Sequence, residues 1–70
     1  MKIRAMKFSD ARTAVEEAAR TNGAFRAILL SGEYLAARRR DVDRLEEAGV
    51  PFAHLVEKKG RLMTVPVNEG

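Results

Sequence analysis

The chain has 70 residues, no cysteine and a formal net charge of +3. This length predicts one domain over residues 1–70, and the absence of cysteine excludes disulfides and thiolate metal sites as stabilising devices. A chain this short buries only about 60% of its unfolded surface and has little apolar material to spare. Its first residues carry spaced charges, which predicts neither a secretory signal nor a membrane span and favours the cytoplasm, with no membrane partner.

The first half of the chain predicts a strand, a helix and the start of a second strand pair. Apolar and charged residues alternate over residues 2–8, which is typical of a strand. Ser9 then offers a helix N-cap, with Asp10 at the positive end of the dipole. Small apolar residues recur at helical spacing as far as Ala19, and Asn22-Gly23 ends the helix.

The middle of the chain predicts a central hairpin followed by a second helix. Residues 25–30 are almost continuously apolar, Ser31-Gly32 can turn the chain, and residues 33–37 return. A shorter helix is predicted over residues 38–48, because Gly49 can close it and the proline that follows prevents its continuation.

The last third of the chain, residues 52–67, predicts two strands joined by a tight turn. Two turns compete. A two-residue loop of Lys59-Gly60 needs positive φ at a lysine, whereas a three-residue loop starting at Lys58 puts only the glycine in the left-handed region. The three-residue loop is preferred on this ground, and it sets Glu57 opposite Arg61.

Neither face of this hairpin is polar in the preferred register. An antiparallel ribbon with one face in water should alternate apolar and polar residues. Both faces are therefore expected to meet protein, either the chain's own helices and terminus or a second copy. One face carries residues 53, 55, 63, 65 and 67. The candidates for an interface with a second copy lie on the other face and are Phe52, His54, Val56, Leu62 and Thr64.

The predicted fold class is α+β, with the element order β-α-β-β-α-β-β and a mainly antiparallel sheet. This order resembles the ferredoxin-like, split βαβ plan with an extra C-terminal strand, and the resemblance implies both helices on one face of the sheet. The other face would then lack helices and expose apolar side chains, which indicates a partner. The join between the third strand and second helix leaves no loop residues to spare, so another α+β order stays open.

Basic residues cluster at two places. Three cations, Arg38-Arg39-Arg40, open the second helix, where the dipole disfavours them. The predicted hairpin turn adds Lys58-Lys59 and Arg61. These six residues are the candidates for contact with nucleic acid or an acidic protein surface. A solvated helix start and a soluble turn are the alternative interpretation, and no basic-aromatic RNA-recognition motif is present.

The sequence points away from catalysis. His54 is the single histidine, Ser9 and Ser31 are a cap and a turn residue, and no acid, base and nucleophile set converges. No catalytic, cofactor-binding or metal-binding residue is therefore predicted. The expected function is a small non-enzymatic interaction module that self-associates through its sheet as a homodimer. The alternative is a nucleic-acid-binding protein that uses its basic residues as one patch.

Overall fold

The computed structural model describes residues 3–69, and the prediction at Lys2 lies outside them. Its elements are β1 Ala5–Phe8, α1 Ala11–Ala19, β2 Phe25–Leu30, β3 Glu33–Arg38, α2 Arg39–Glu47, β4 Phe52–Lys58 and β5 Arg61–Val67. The five strands form one sheet in the order β1-β3-β2-β4-β5, and every neighbouring pair is antiparallel. The α+β class, the element order and the addition of the last strand beside the fourth are confirmed.

The two helices pack on opposite faces of the sheet. Ala14 and Ala18 of α1 pack with Ala27, Ala36 and Leu55. The buried residues of α2 instead pack with the strand residues that point the other way. That second cluster consists of Ile28, Leu35, Ala37, Val42, Leu45 and Phe52. We call the two sides of the sheet the α1 face and the α2 face.

This placement differs from the expectation that both helices share one face, and the strand order explains the difference. In the ferredoxin-like plan the fourth strand pairs with the first. Here β4 pairs with β2, so the connection from β3 to β4 crosses over β2, whereas in the ferredoxin-like plan it crosses over β1 in the opposite direction. A right-handed crossover in that direction puts its helix on the other side of the sheet. The central strands are therefore covered on both faces by the chain itself.

The first helix is capped by Asp10 rather than by Ser9. The Asp10 carboxylate accepts hydrogen bonds from the Thr13 amide at 2.7 Å and from the Thr13 hydroxyl at 3.1 Å. These bonds satisfy an early amide of α1 and lower the pKa of Asp10 from its ordinary value. An acid at the cap serves as hydrogen-bond acceptor and dipole partner together, which a serine cannot do.

The C-terminal hairpin closes through a two-residue turn, so the three-residue loop predicted from the sequence is wrong. Lys58 pairs with Arg61, and both turn residues have positive φ, 52° at Lys59 and 77° at Gly60. These angles are those of the type I′ turn, whose twist matches the twist of antiparallel strands. Glu57 therefore lies opposite Leu62 and not opposite Arg61.

The residue after β5 fastens the end of the second helix. The Asn68 side-chain amide donates hydrogen bonds to the carbonyl oxygens of Glu46 at 3.0 Å and Val50 at 3.2 Å, with a longer one at 3.5 Å to Leu45. Carbonyl groups at the end of a helix have no partner within the helix, so these bonds cap α2. Asn68 therefore ties the end of β5 to the end of α2.

Candidate nucleic-acid interface

The strand register gathers the predicted basic residues at one end of the sheet. Arg38 pairs with Phe25, and the register that pairs Ile28 with His54 puts Phe25 level with Glu57. The turn that follows Lys58 therefore lies at the same end of the sheet as Arg38. Arg4 directly precedes β1 at this end, because Ala5 pairs with the residue before Arg38. We call this region the basic end: Arg4, Arg38, Arg39, Arg40, Arg44, Lys58, Lys59 and Arg61.

Five of these cations surround an open hollow of about 480 Å³, which we call the arginine hollow. It lies where β2 begins, β3 ends and α2 takes its first turns. The hollow carries five arginines against one acid. Its lining residues are Arg4, Ala24, Phe25, Arg38, Arg39, Arg40, Asp41 and Arg44.

The start of α2 carries arginines at positions where they lower the stability of the helix. Arg38 occupies the N-cap position of α2 but makes no side-chain capping bond. Cations in the first turn oppose the helix dipole, which Asp41 offsets in part. Arg40 and Arg44 are four residues apart on the helix, a spacing at which like charges repel. An anion in the hollow would relieve both unfavourable arrangements.

The cations of the basic end have no acidic partner among residues 3–69. The salt bridges in that range join Lys7 to Glu33 at 2.8 Å, Arg12 to Glu57 at 3.3 Å and Arg20 to Glu17 at 3.5 Å. None of the three uses a residue of the basic end. No cation of the basic end is therefore held in an ion pair within the described part of the chain.

The six basic residues predicted from sequence divide into two groups. Arg38, Arg39 and Arg40 all line the arginine hollow, whereas Lys58, Lys59 and Arg61 do not. The second group sits on the hairpin turn between β4 and β5, which lie two and three strand positions from β3. At about 4.8 Å per position, the two groups are separated by roughly 10–14 Å along the same end of the sheet.

The five interface candidates do not share one face of the hairpin. In the observed register Phe52, His54 and Val56 point to the α2 face, and Leu62 and Thr64 point to the α1 face. A shift of one residue in strand pairing produces this change, because side chains alternate between faces.

The interface candidates also differ in exposure. Phe52 is only 6% exposed because it packs in the core beneath α2. The partly buried His54 packs edge-on against the Phe52 ring, with the two ring centroids 5.2 Å apart. An exposed apolar patch nevertheless remains on the α2 face of the hairpin. It consists of Val56 at 37%, Met63 at 49% and Val65 at 45% exposure, and we call it the outer patch.

Within residues 3–69, no group of three or more histidine and acidic side chains is arranged to hold a metal ion. In the same range, no helix is long and apolar enough to cross a membrane.

Comparison with known proteins adds no functional lead. No protein-family model, curated protein or solved structure matches this chain. The functional argument therefore rests on the geometry of the basic end and of the outer patch.

Three contributors to the hollow were missed by sequence reasoning. Arg44 could have been found, because it lies one helical turn beyond Arg40 on the same side of the predicted helix. Arg4 and Phe25 could not, because they reach Arg38 only through the sheet order and register. Arg38 lies 13 positions after Phe25 and 34 positions after Arg4, and no local pattern joins them.

Proposed function

We propose that this protein is a small non-enzymatic module that binds the phosphate backbone of a nucleic acid through its basic end. The observation that supports the proposal is the arginine hollow, in which five arginines converge with a single acid. Guanidinium groups bind phosphate through paired N–H donors, and an arginine-rich concave surface suits a chain of phosphates better than one acidic side chain.

The distribution of charge supports the same function. The opposite end of the sheet carries Asp10, Glu33 and the acidic end of α2 at Glu46-Glu47. The basic end carries eight cations against Asp41, Asp43 and Glu57, so positive charge is concentrated at that end of the strands although the net charge of the chain is only +3. Such a field orients the basic end toward a polyanion during encounter.

Binding to a short fluorescein-labelled oligonucleotide, followed by fluorescence anisotropy at low salt, tests the proposal. The double variant Arg39→Gln/Arg40→Gln should weaken binding at least tenfold, because each lost phosphate contact reduces the number of counterions that the nucleic acid releases on binding. The double variant Arg12→Gln/Arg20→Gln is the matched control, because it removes the same charge outside the basic end. It breaks only exposed ion pairs, which contribute little to stability.

Two results would overturn the proposal. One is the absence of detectable binding to any oligonucleotide at low salt. The other is an equal loss of affinity in both double variants, which would mean that net charge and not the basic end attracts the nucleic acid. Tighter binding to an acidic peptide than to the oligonucleotide would reassign the surface to an acidic protein partner.

Self-association is a second candidate function, supported by the outer patch. Three of the four exposed large apolar side chains among residues 3–69 lie together there, on one face of the hairpin. A second copy could cover them face to face. Pairing of two β5 edges is disfavoured, because Pro66 interrupts the edge and cannot donate a backbone hydrogen bond.

Sedimentation equilibrium at micromolar concentration tests this second candidate. The variant Met63→Thr/Val65→Thr keeps strand-forming residues while making the outer patch polar, and it should convert a dimer into a monomer. Met6→Thr is the matched control, because Met6 is 44% exposed on β1 at the other edge of the sheet. A wild-type chain that is monomeric at these concentrations would contradict the candidate.

A further inference from the structure

The arginine hollow adjoins a second, more apolar hollow, and the two share three residues. The second hollow has a volume of about 220 Å³ and is lined by Arg4, Ala5, Met6, Phe25 and Arg38. Arg4, Phe25 and Arg38 line both hollows. A cationic compartment and a compartment containing an aromatic ring therefore lie side by side at the basic end.

The sheet builds an arrangement that the sequence does not display. Phe25 pairs directly with Arg38 across β2 and β3, and both residues point to the α1 face. Phe25 is only partly buried, and it lines both hollows. Phe25 therefore lies beside Arg4 and Arg38 in the lining of both hollows. An aromatic side chain beside arginines is the combination on which unpaired bases stack in single-strand-binding proteins.

We infer that the paired hollows bind one nucleotide unit of a single-stranded nucleic acid, with its phosphate among the arginines and its base against Phe25. This inference rests on the proposed function and names its substrate class. The smaller hollow falls below the roughly 300–1,000 Å³ of sites for whole drug-sized ligands, which suits a single flat base. A base paired and stacked within a duplex cannot enter it, so single strands bind in preference to duplexes.

Variants of Phe25 test this inference in two independent ways. The chain contains no tryptophan, so Phe25→Trp introduces one reporter at the site. Its emission should be quenched by a short single-stranded DNA and unaffected by inorganic polyphosphate, because only a base can stack on the indole. Phe25→Leu, which keeps an apolar side chain against α1, should weaken single-strand binding at least about fivefold and leave duplex binding unchanged.

Phe8→Leu is the matched control, because Phe8 also packs partly buried against α1 but lies at the other end of β1. It should bind like the wild type. The inference is overturned if the tryptophan emission does not respond to single-stranded DNA, or if Phe25→Leu binds single strands as tightly as the wild type does. Equal binding of single strands and duplexes would also overturn it while leaving the proposed function intact. Failure of the wild type to bind any polyanion would refute the proposed function itself.

Discussion

Arg4 lies 34 positions before Arg38, and Arg44 lies one helical turn after Arg40. The contribution of these two arginines therefore separates a folded site from the linear run of residues 38–40. If all five arginines of the hollow contact phosphates, the logarithm of affinity for a single strand falls against the logarithm of salt with a slope of about −3.5, or 0.7 per contact. Raising the salt fourfold then weakens binding by about 100-fold. The variant Arg4→Gln/Arg44→Gln should reduce the slope to about −2.1, so that the same fourfold rise in salt weakens its binding by only about 20-fold.

Fluorescence anisotropy titrations at several salt concentrations measure both slopes. Arg12→Gln/Arg20→Gln is the control, because these arginines lie outside the basic end and should leave the slope near its wild-type value. An unchanged slope in Arg4→Gln/Arg44→Gln, together with wild-type affinity, would refute the hollow as the binding surface. A reduced slope in the separate variant Lys58→Gln/Lys59→Gln would show that the phosphate chain also contacts the hairpin turn of the basic end.

Three further predictions concern the elements that position the basic end, each measured by urea unfolding. Lys59→Asn should raise the free energy of unfolding by about 0.5–1 kcal/mol, because asparagine tolerates the positive φ of the type I′ turn; an unchanged value would contradict the observed turn. Asn68→Gly keeps a residue suited to positive φ but removes the cap of α2, and should lower that free energy by about 1 kcal/mol; wild-type stability would contradict the cap. Hydrogen bonds from Thr13 lower the pKa of Asp10, so its stabilising effect is complete above its ordinary value of 3.8 and fades as the pH falls through the lower folded-state pKa. Asp10→Asn should be less stable than the wild type near neutral pH and lose less stability on acidification; parallel pH profiles would contradict this.

The sequence was sufficient to predict the helices and strands but not to predict which face of the sheet each helix covers. Alanines at helical spacing, the apolar run of β2 and the glycines after both helices act locally, and they predicted the order of elements correctly. The side of the sheet occupied by α2 depends on whether β4 pairs with β1 or with β2. That choice is a long-range competition between strand edges that no local pattern reports.

The error in the hairpin register has a specific physical origin. The backbone cost of positive φ at Lys59 argued for a longer turn, but it amounts to only about 1–2 kcal/mol. The observed register packs Val67 opposite Phe52 against the core beneath α2 and places Leu62, which is also partly buried, on the α1 face. Full burial of such a side chain contributes about 1.5–3 kcal/mol, so partial burial of both offsets the strain of one turn residue.

The candidate site was predictable only in part, for a related reason. Three adjacent arginines are visible in any reading of the sequence, and they proved to line the hollow. The aromatic side chain beside them could not be identified from the sequence, because Phe25 and Arg38 are 13 positions apart and only strand pairing brings them together. Sequence reasoning therefore found the charge of the surface but not the aromatic side chain that we propose selects single strands.

The most direct test of the basic end as a nucleic-acid-binding surface is an NMR titration of the ¹⁵N-labelled chain with a short single-stranded DNA. Amide shifts should concentrate at Phe25 and at residues 38–44, with smaller changes at the hairpin turn and none around Glu33. Shifts confined to the outer patch around Met63, or spread evenly over the surface, would contradict the account.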